Sequence, residues 1–154
     1  MTLKQKIRED LNIALKKRES VRIGALRMLL AAMVNKEKEV LRQARSKEEL
    51  SDEEIQSVVA TEAKKRREAI EAFLKGGRPE LAEKEKQELD VLLLYLPEQL
   101  SEEEIRKLVK EAIAKTKAGS FKDMGKIMGV LAPQVKGKAD GALVASIVKE
   151  ILSS

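Results

Sequence analysis

The chain has 154 residues, of which 43% are hydrophobic, 37% charged and only 2% aromatic, with a formal net charge of +5. It contains no cysteine and no histidine, which excludes disulfides and thiolate zinc sites and removes the commonest general base and metal ligand. No apolar run approaches the roughly 20 residues that span a bilayer, and the N-terminus alternates charge instead of forming an apolar signal core. The expectation is a soluble cytoplasmic protein without membrane association.

In chain order, Leu3, Ile7, Leu11, Ala14 and Leu15 recur at three- and four-residue steps, an amphipathic helix with Thr2 as its cap. A second helix begins near Ser20. From Val21 to Val34 only Arg22, Gly24 and Arg27 interrupt the apolar residues, so this helix is expected at the centre of the core, covered on most sides. Its polar tail, Asn35 to Arg45, is expected to project or fray. Leu50-Ser51-Asp52-Glu53-Glu54-Ile55 combines a capping box with a hydrophobic staple and starts a third helix that ends at Gly76-Gly77. Pro79 opens a fourth, which Leu96-Pro97 stops. Leu100 to Ile105 repeats the start signal seen at Leu50. Because the two sequences diverge after the caps, two helices solving one capping problem explain this better than a duplication. Three shorter helices follow: Glu102 to Lys115, Asp123 to Leu131, and Gly141 to Leu152 with Asp140 as cap.

No period-two pattern is present, so the fold class is all-α. About four helices form an N-terminal bundle over residues 1–97. A small three-helix domain occupies 98–154.

Signals of catalysis fail. There is no Walker loop, Rossmann fingerprint, nucleophile elbow or calcium loop, and no catalytic residue, metal ligand or cofactor site is assigned. Glu62 and Arg66 lie on the apolar stripe of the third helix. They read as an ion pair where the helix leaves the core, the sharper alternative being a buried charge site. The run Lys64-Lys65-Arg66-Arg67 points in four directions around a helix and reads as solvated surface.

The C-terminal part is more informative. Gly125 and Gly129, four apart on a short helix, leave one side without Cβ atoms, where either another helix or a ligand can approach the backbone. The loop Pro133 to Gly141 sets Lys136 and Lys138 on either side of Gly137, directly before a capped helix whose N–H groups and positive end suit a phosphate. From Arg106 to Lys138 nine Lys and Arg face only Glu111 and Asp123, a local excess above the net charge of the whole chain. The basic excess favours a polyanion, a nucleic acid, with Lys126, Lys136 and Lys138 as its candidate contacts beside Gly125, Gly129 and Gly137, while packing against another helix stays open for the glycines.

Leu94-Tyr95-Leu96-Pro97-Glu98-Gln99-Leu100-Ser101, with Met124 to Gly129 and Lys136 to Gly141, resembles the YqeY proteins, as does Gly76-Gly77-Arg78-Pro79-Glu80-Leu81. These are stand-alone relatives of the C-terminal region of GatB, the B subunit of the tRNA-dependent amidotransferases. The resemblance implies a helical domain followed by a small tail that contacts tRNA in translation, without the domain that carries the carbon–nitrogen ligase chemistry. Gly129 with Gly137-Lys138-Ala139-Asp140 fits the spacing of the amidotransferase tail, whereas Pro133 and Asp140-Gly141 depart from it. The implied function is a non-catalytic tRNA-binding accessory protein. The competing readings are a module that docks on an amidotransferase or aminoacyl-tRNA synthetase, and an enzyme with a carboxylate site.

Overall fold

The computed structural model describes residues 1–43 and 49–154. Among them are seven α-helices, one 3-10 turn and no strand, so the all-α class holds. The chain divides into two compact units, Met1–Leu96 and Pro97–Ser154.

The first unit holds α1 (Leu3–Lys17), α2 (Ser20–Arg42), α3 (Asp52–Lys75) and α4 (Pro79–Leu93). Each start follows from local chemistry. Thr2 and Ser51 accept from the backbone N–H three residues on, while the side chains of Gln5 and Glu54 reach back to the cap N–H. Such a cap is worth about 1 kcal/mol. At the end of α3, Gly77 adopts φ +71° and the Arg78 N–H donates to the Phe73 carbonyl at 2.8 Å, the left-handed closure that glycine permits. Ile7, Leu26, Leu29, Met33, Ile55 and Val59 form the centre of the core.

Helix α2 meets one expectation and departs from another. Most of its apolar stretch is covered, as expected, and one face stays exposed. Arg27 and Ala31 are exposed, as are Met28 at 46% and Val34 at 45%. Its neighbours α1, α3 and α4 supply the cover; an apolar run attracts neighbours but does not fix how many arrive. Its polar tail, in turn, does not fray before Arg42. The Lys4 ammonium binds Glu37 at 2.7 Å and Val40 packs on the core; Arg45 lies outside the described residues.

The Glu62–Arg66 pair is also more than an edge contact. Arg66 donates to Glu85 at 2.9 Å and to Glu88 at 3.3 Å on α4, and stands 3.9 Å from Glu62. Lys65 holds the other Glu62 oxygen at 3.1 Å. Glu62 and Glu88 are buried, at 7% and 9% exposure. The cavity bordered by Glu62, Arg66 and Glu88 measures about 10 Å³, room for a single water at most. The arrangement ties α3 to α4, and Arg66 is not the solvated base that its run of four implied.

The second unit holds α5 (Glu102–Thr116), a 3-10 turn (Phe121–Asp123), α6 (Met124–Val135) and α7 (Gly141–Ser153). Its core is built from Ile105, Val109, Ile127, Leu131, Val144 and Ile147. Ser101 caps α5 by accepting from the Glu104 N–H. Leu50 and Ile55 pack in the first core, while Leu100 and Ile105 pack in the second. The recurring start signal thus serves two separate cores.

Candidate nucleic-acid interface

Helix α6 runs through Pro133 to Val135, so the loop expected from Pro133 begins only at Lys136. Proline lacks the N–H that would bond the Gly129 carbonyl. The helix continues past it because Leu131 and Val135 are both buried, at 0% and 6% exposure. Those two and Ile127 form the inward stripe. The opposite face, at the 100° spacing of a helix, is Gly125, Gly129 and Ala132 with Pro133 at its edge, and all four are exposed. A Cβ placed on Gly125 or Gly129 would meet nothing within 4 Å. Of the two uses foreseen for these glycines, packing against another helix therefore has no partner among the described residues.

The loop from Lys136 to Asp140 is bound up with its own unit. The Val135 carbonyl accepts from the N–H groups of Lys138 at 2.9 Å and Ala139 at 3.1 Å. The Gln99 carboxamide donates to the Gly137 carbonyl at 2.8 Å and to the Pro97 carbonyl at 2.9 Å, and the Leu100 N–H donates to the Lys138 carbonyl at 2.8 Å. Gly137 has φ +72°, and a Cβ there would lie 3.7 Å from the Pro97 ring. The geometry thus gives Gly137 a conformational reason to be glycine. The N-terminus of α7, expected to meet a phosphate, is occupied from within, because the Asp140 carboxylate accepts from the Ala142 N–H at 3.3 Å. A carboxylate at that position opposes a second anion.

What remains available is side-chain charge. Lys126, Lys136 and Lys138 are exposed. Arg106 is neutralised by Glu102 and Glu150, each at 2.9 Å, and its bonds to Glu150 and then Glu102 raise the guanidinium pKa above its ordinary value. The eight lysines from Lys107 to Lys138 are all exposed, and none forms an ion pair within 4 Å with a described residue. Asp123, one of the two acids among them, is engaged by the Gly119 N–H at 3.3 Å. Among the described residues no group of three or more acids is placed to hold a metal, and no helix is long and apolar enough to cross a membrane.

The sequence pattern had not indicated Gln99 as the residue that ties the loop to the segment before α5. Its signal was present in the Leu96-Pro97-Glu98-Gln99-Leu100 run, which on its own reads only as a helix stop and a new start.

Fold and surface together define a class: a two-unit helical protein whose C-terminal unit presents lysines beside a bare helix face. The chain belongs to the YqeY-like family, whose model, described as Yqey-like protein, matches residues 4–152. It is also similar to "Altered inheritance of mitochondria protein 41, mitochondrial" from Pyrenophora tritici-repentis (strain Pt-1C-BFP), at 28% identity over 152 residues, covering 97% of this chain and 80% of that one.

Proposed function

We propose that this protein binds tRNA through its C-terminal unit as a non-catalytic accessory protein, related to the tail of the tRNA-dependent amidotransferase B subunit and acting in the cytoplasm in translation. The observation that carries the reading is the open α6 face: Gly125 and Gly129 with nothing within 4 Å of an added Cβ, and exposed Lys126 on the same helix. A surface without side chains lets a sugar–phosphate backbone approach, and unpaired lysines on the same unit neutralise it. With Asp140 closing the end of α7, phosphate contact falls to the side chains of Lys126, Lys136 and Lys138 rather than to the loop amides. These 154 residues by themselves are expected to show no amidotransferase activity, because the resemblance is to the tail of the B subunit and not to the domain that carries that chemistry.

The test is fluorescence anisotropy of labelled bulk tRNA at low and physiological salt, beside a Lys126→Glu, Lys136→Glu, Lys138→Glu triple variant. Saturable binding that weakens with salt and is lost in the variant supports the reading. Binding that is absent, or unchanged in the variant, removes it. The bare α6 face would then be read as a docking surface for an amidotransferase or aminoacyl-tRNA synthetase, sensitive to bulky substitutions at Gly125 or Gly129.

A further inference from the structure

Phe121 is the single aromatic residue of Pro97–Ser154. An aromatic ring offers more apolar area for burial than almost any other side chain, and a unit of this size has every reason to use it. Yet Phe121 is 55% exposed and takes no part in the C-terminal core. The turn that carries it is held by three hydrogen bonds. The Asp123 N–H donates to the Ser120 carbonyl at 3.1 Å, the Lys122 N–H donates to Ser120 Oγ at 3.4 Å, and the Met124 N–H donates to the Phe121 carbonyl. The ring therefore stands on a fixed turn, one turn ahead of Gly125.

Its surroundings in the chain are basic. Lys115, Lys117, Lys122 and Lys126 lie within six residues of it, all exposed. Lys117 holds φ +55°, a left-handed conformation that glycine adopts more easily. A ligand that fits this turn carries negative charge and a flat apolar ring in each repeating unit. That is the chemistry of a nucleic-acid strand whose bases are unstacked; a continuous duplex hides its base faces.

We infer that Phe121 is a stacking platform for an unpaired base, so that the partner engaged by this unit presents single-stranded nucleotides next to the phosphates held by the lysines. The inference rests on the RNA-binding reading above and narrows it from shape-directed backbone contact to a loop, bulge or free end.

The experiment uses the full chain as wild type, Phe121→Ala, Phe121→Trp and the Lys126/Lys136/Lys138 triple variant. The probes are a short labelled oligouridylate and a blunt-ended RNA duplex of equal length. Phe121→Ala is expected to weaken oligouridylate binding about tenfold and to leave duplex binding unchanged. Phe121→Trp keeps the affinity, and its indole, introduced into a chain that has no tryptophan of its own, is quenched as the oligouridylate stacks on it. Because the ring is exposed, thermal unfolding is expected to be unaltered in both. If Phe121→Ala binds both probes like wild type, or if the indole emission of Phe121→Trp does not change while oligouridylate is bound, the inference is overturned. Should binding still collapse in the lysine variant, RNA binding stands and the platform alone fails. If wild type does not bind oligouridylate at all, the platform fails, while the tRNA reading stands or falls on the bulk-tRNA anisotropy experiment above.

Discussion

The carboxamide of Gln99 spans 38 positions of sequence to donate to the carbonyl of Gly137 at 2.8 Å, while its second hydrogen reaches Pro97. Two segments that look unrelated in the sequence, a helix stop and a lysine–glycine loop, are therefore one fastened structure. Gly137 answers to that fastening through its φ of +72° and its approach to Pro97, whereas Gly125 and Gly129 answer to nothing among the described residues.

The three glycines are expected to part company on substitution. Gly137→Ala forces a Cβ into the left-handed region and should cost about 1–2 kcal/mol. Gly125→Ala and Gly129→Ala lie in a helix with open space around them and should each stabilise by about 0.5–1 kcal/mol. Denaturant unfolding, with amide exchange of α6 as a local readout, checks both signs. If Gly129→Ala also lowers tRNA affinity while raising stability, the glycine is retained for the ligand and not for the fold.

Arg66 faces the buried carboxylates Glu62 and Glu88 together, and Lys65 assists only at Glu62. Arg66→Met would leave α4 with buried carboxylate charge and should destabilise the first unit by about 3 kcal/mol. Adding Glu62→Gln and Glu88→Gln should recover part of that loss, because no uncompensated charge then remains on either residue. Equilibrium unfolding of the single and triple variants measures the difference. A triple variant no more stable than the single one would contradict the charge-burial account.

Tyr95 is 4% exposed and its hydroxyl donates to Asp10 Oδ2 at 2.6 Å. Burial first, and the Asp10 bond second, push its pKa well above the ordinary tyrosine value of 10.0. The neutral phenol is therefore favoured by the folded state. Its contribution is fully present below pH 10 and declines as pH rises above it, where the unfolded chain releases the proton and the folded chain keeps it. Relative to Tyr95→Phe, wild type should lose stability above pH 10 at up to about 1.4 kcal/mol per pH unit. Parallel slopes for the two proteins between pH 10 and 12 would show that the group does not discriminate folded from unfolded.

Much of the secondary structure could be read directly, because helix boundaries are set by residues within one turn of each other. Thr2, Ser51, Ser101 and Asp140 cap as their spacing predicts, and Gly76-Gly77 ends α3. Pro133 misled because a local rule, that proline stops a helix, was outweighed by the burial of Val135 two residues later. The candidate site divides in the same way. The basic excess and the glycine spacing are matters of composition and were visible. That the glycine face is open, that Asp140 fills the α7 end, and that Gly137 belongs to a backbone clasp were not.

The sequence by itself determined the helices, their starts, the family and the lysine-rich character of the C-terminal part, since each follows from short-range chemistry or from pattern. Only the tertiary structure decided which face of α2 stays uncovered, which carboxylates share Arg66, and which glycine serves the fold rather than the surface. The bonds of Arg66 to α4 and of Gln99 to Gly137 join partners 19 to 38 positions apart. The energy of bringing such groups together is set by the packing of whole helices, which no local window of sequence contains.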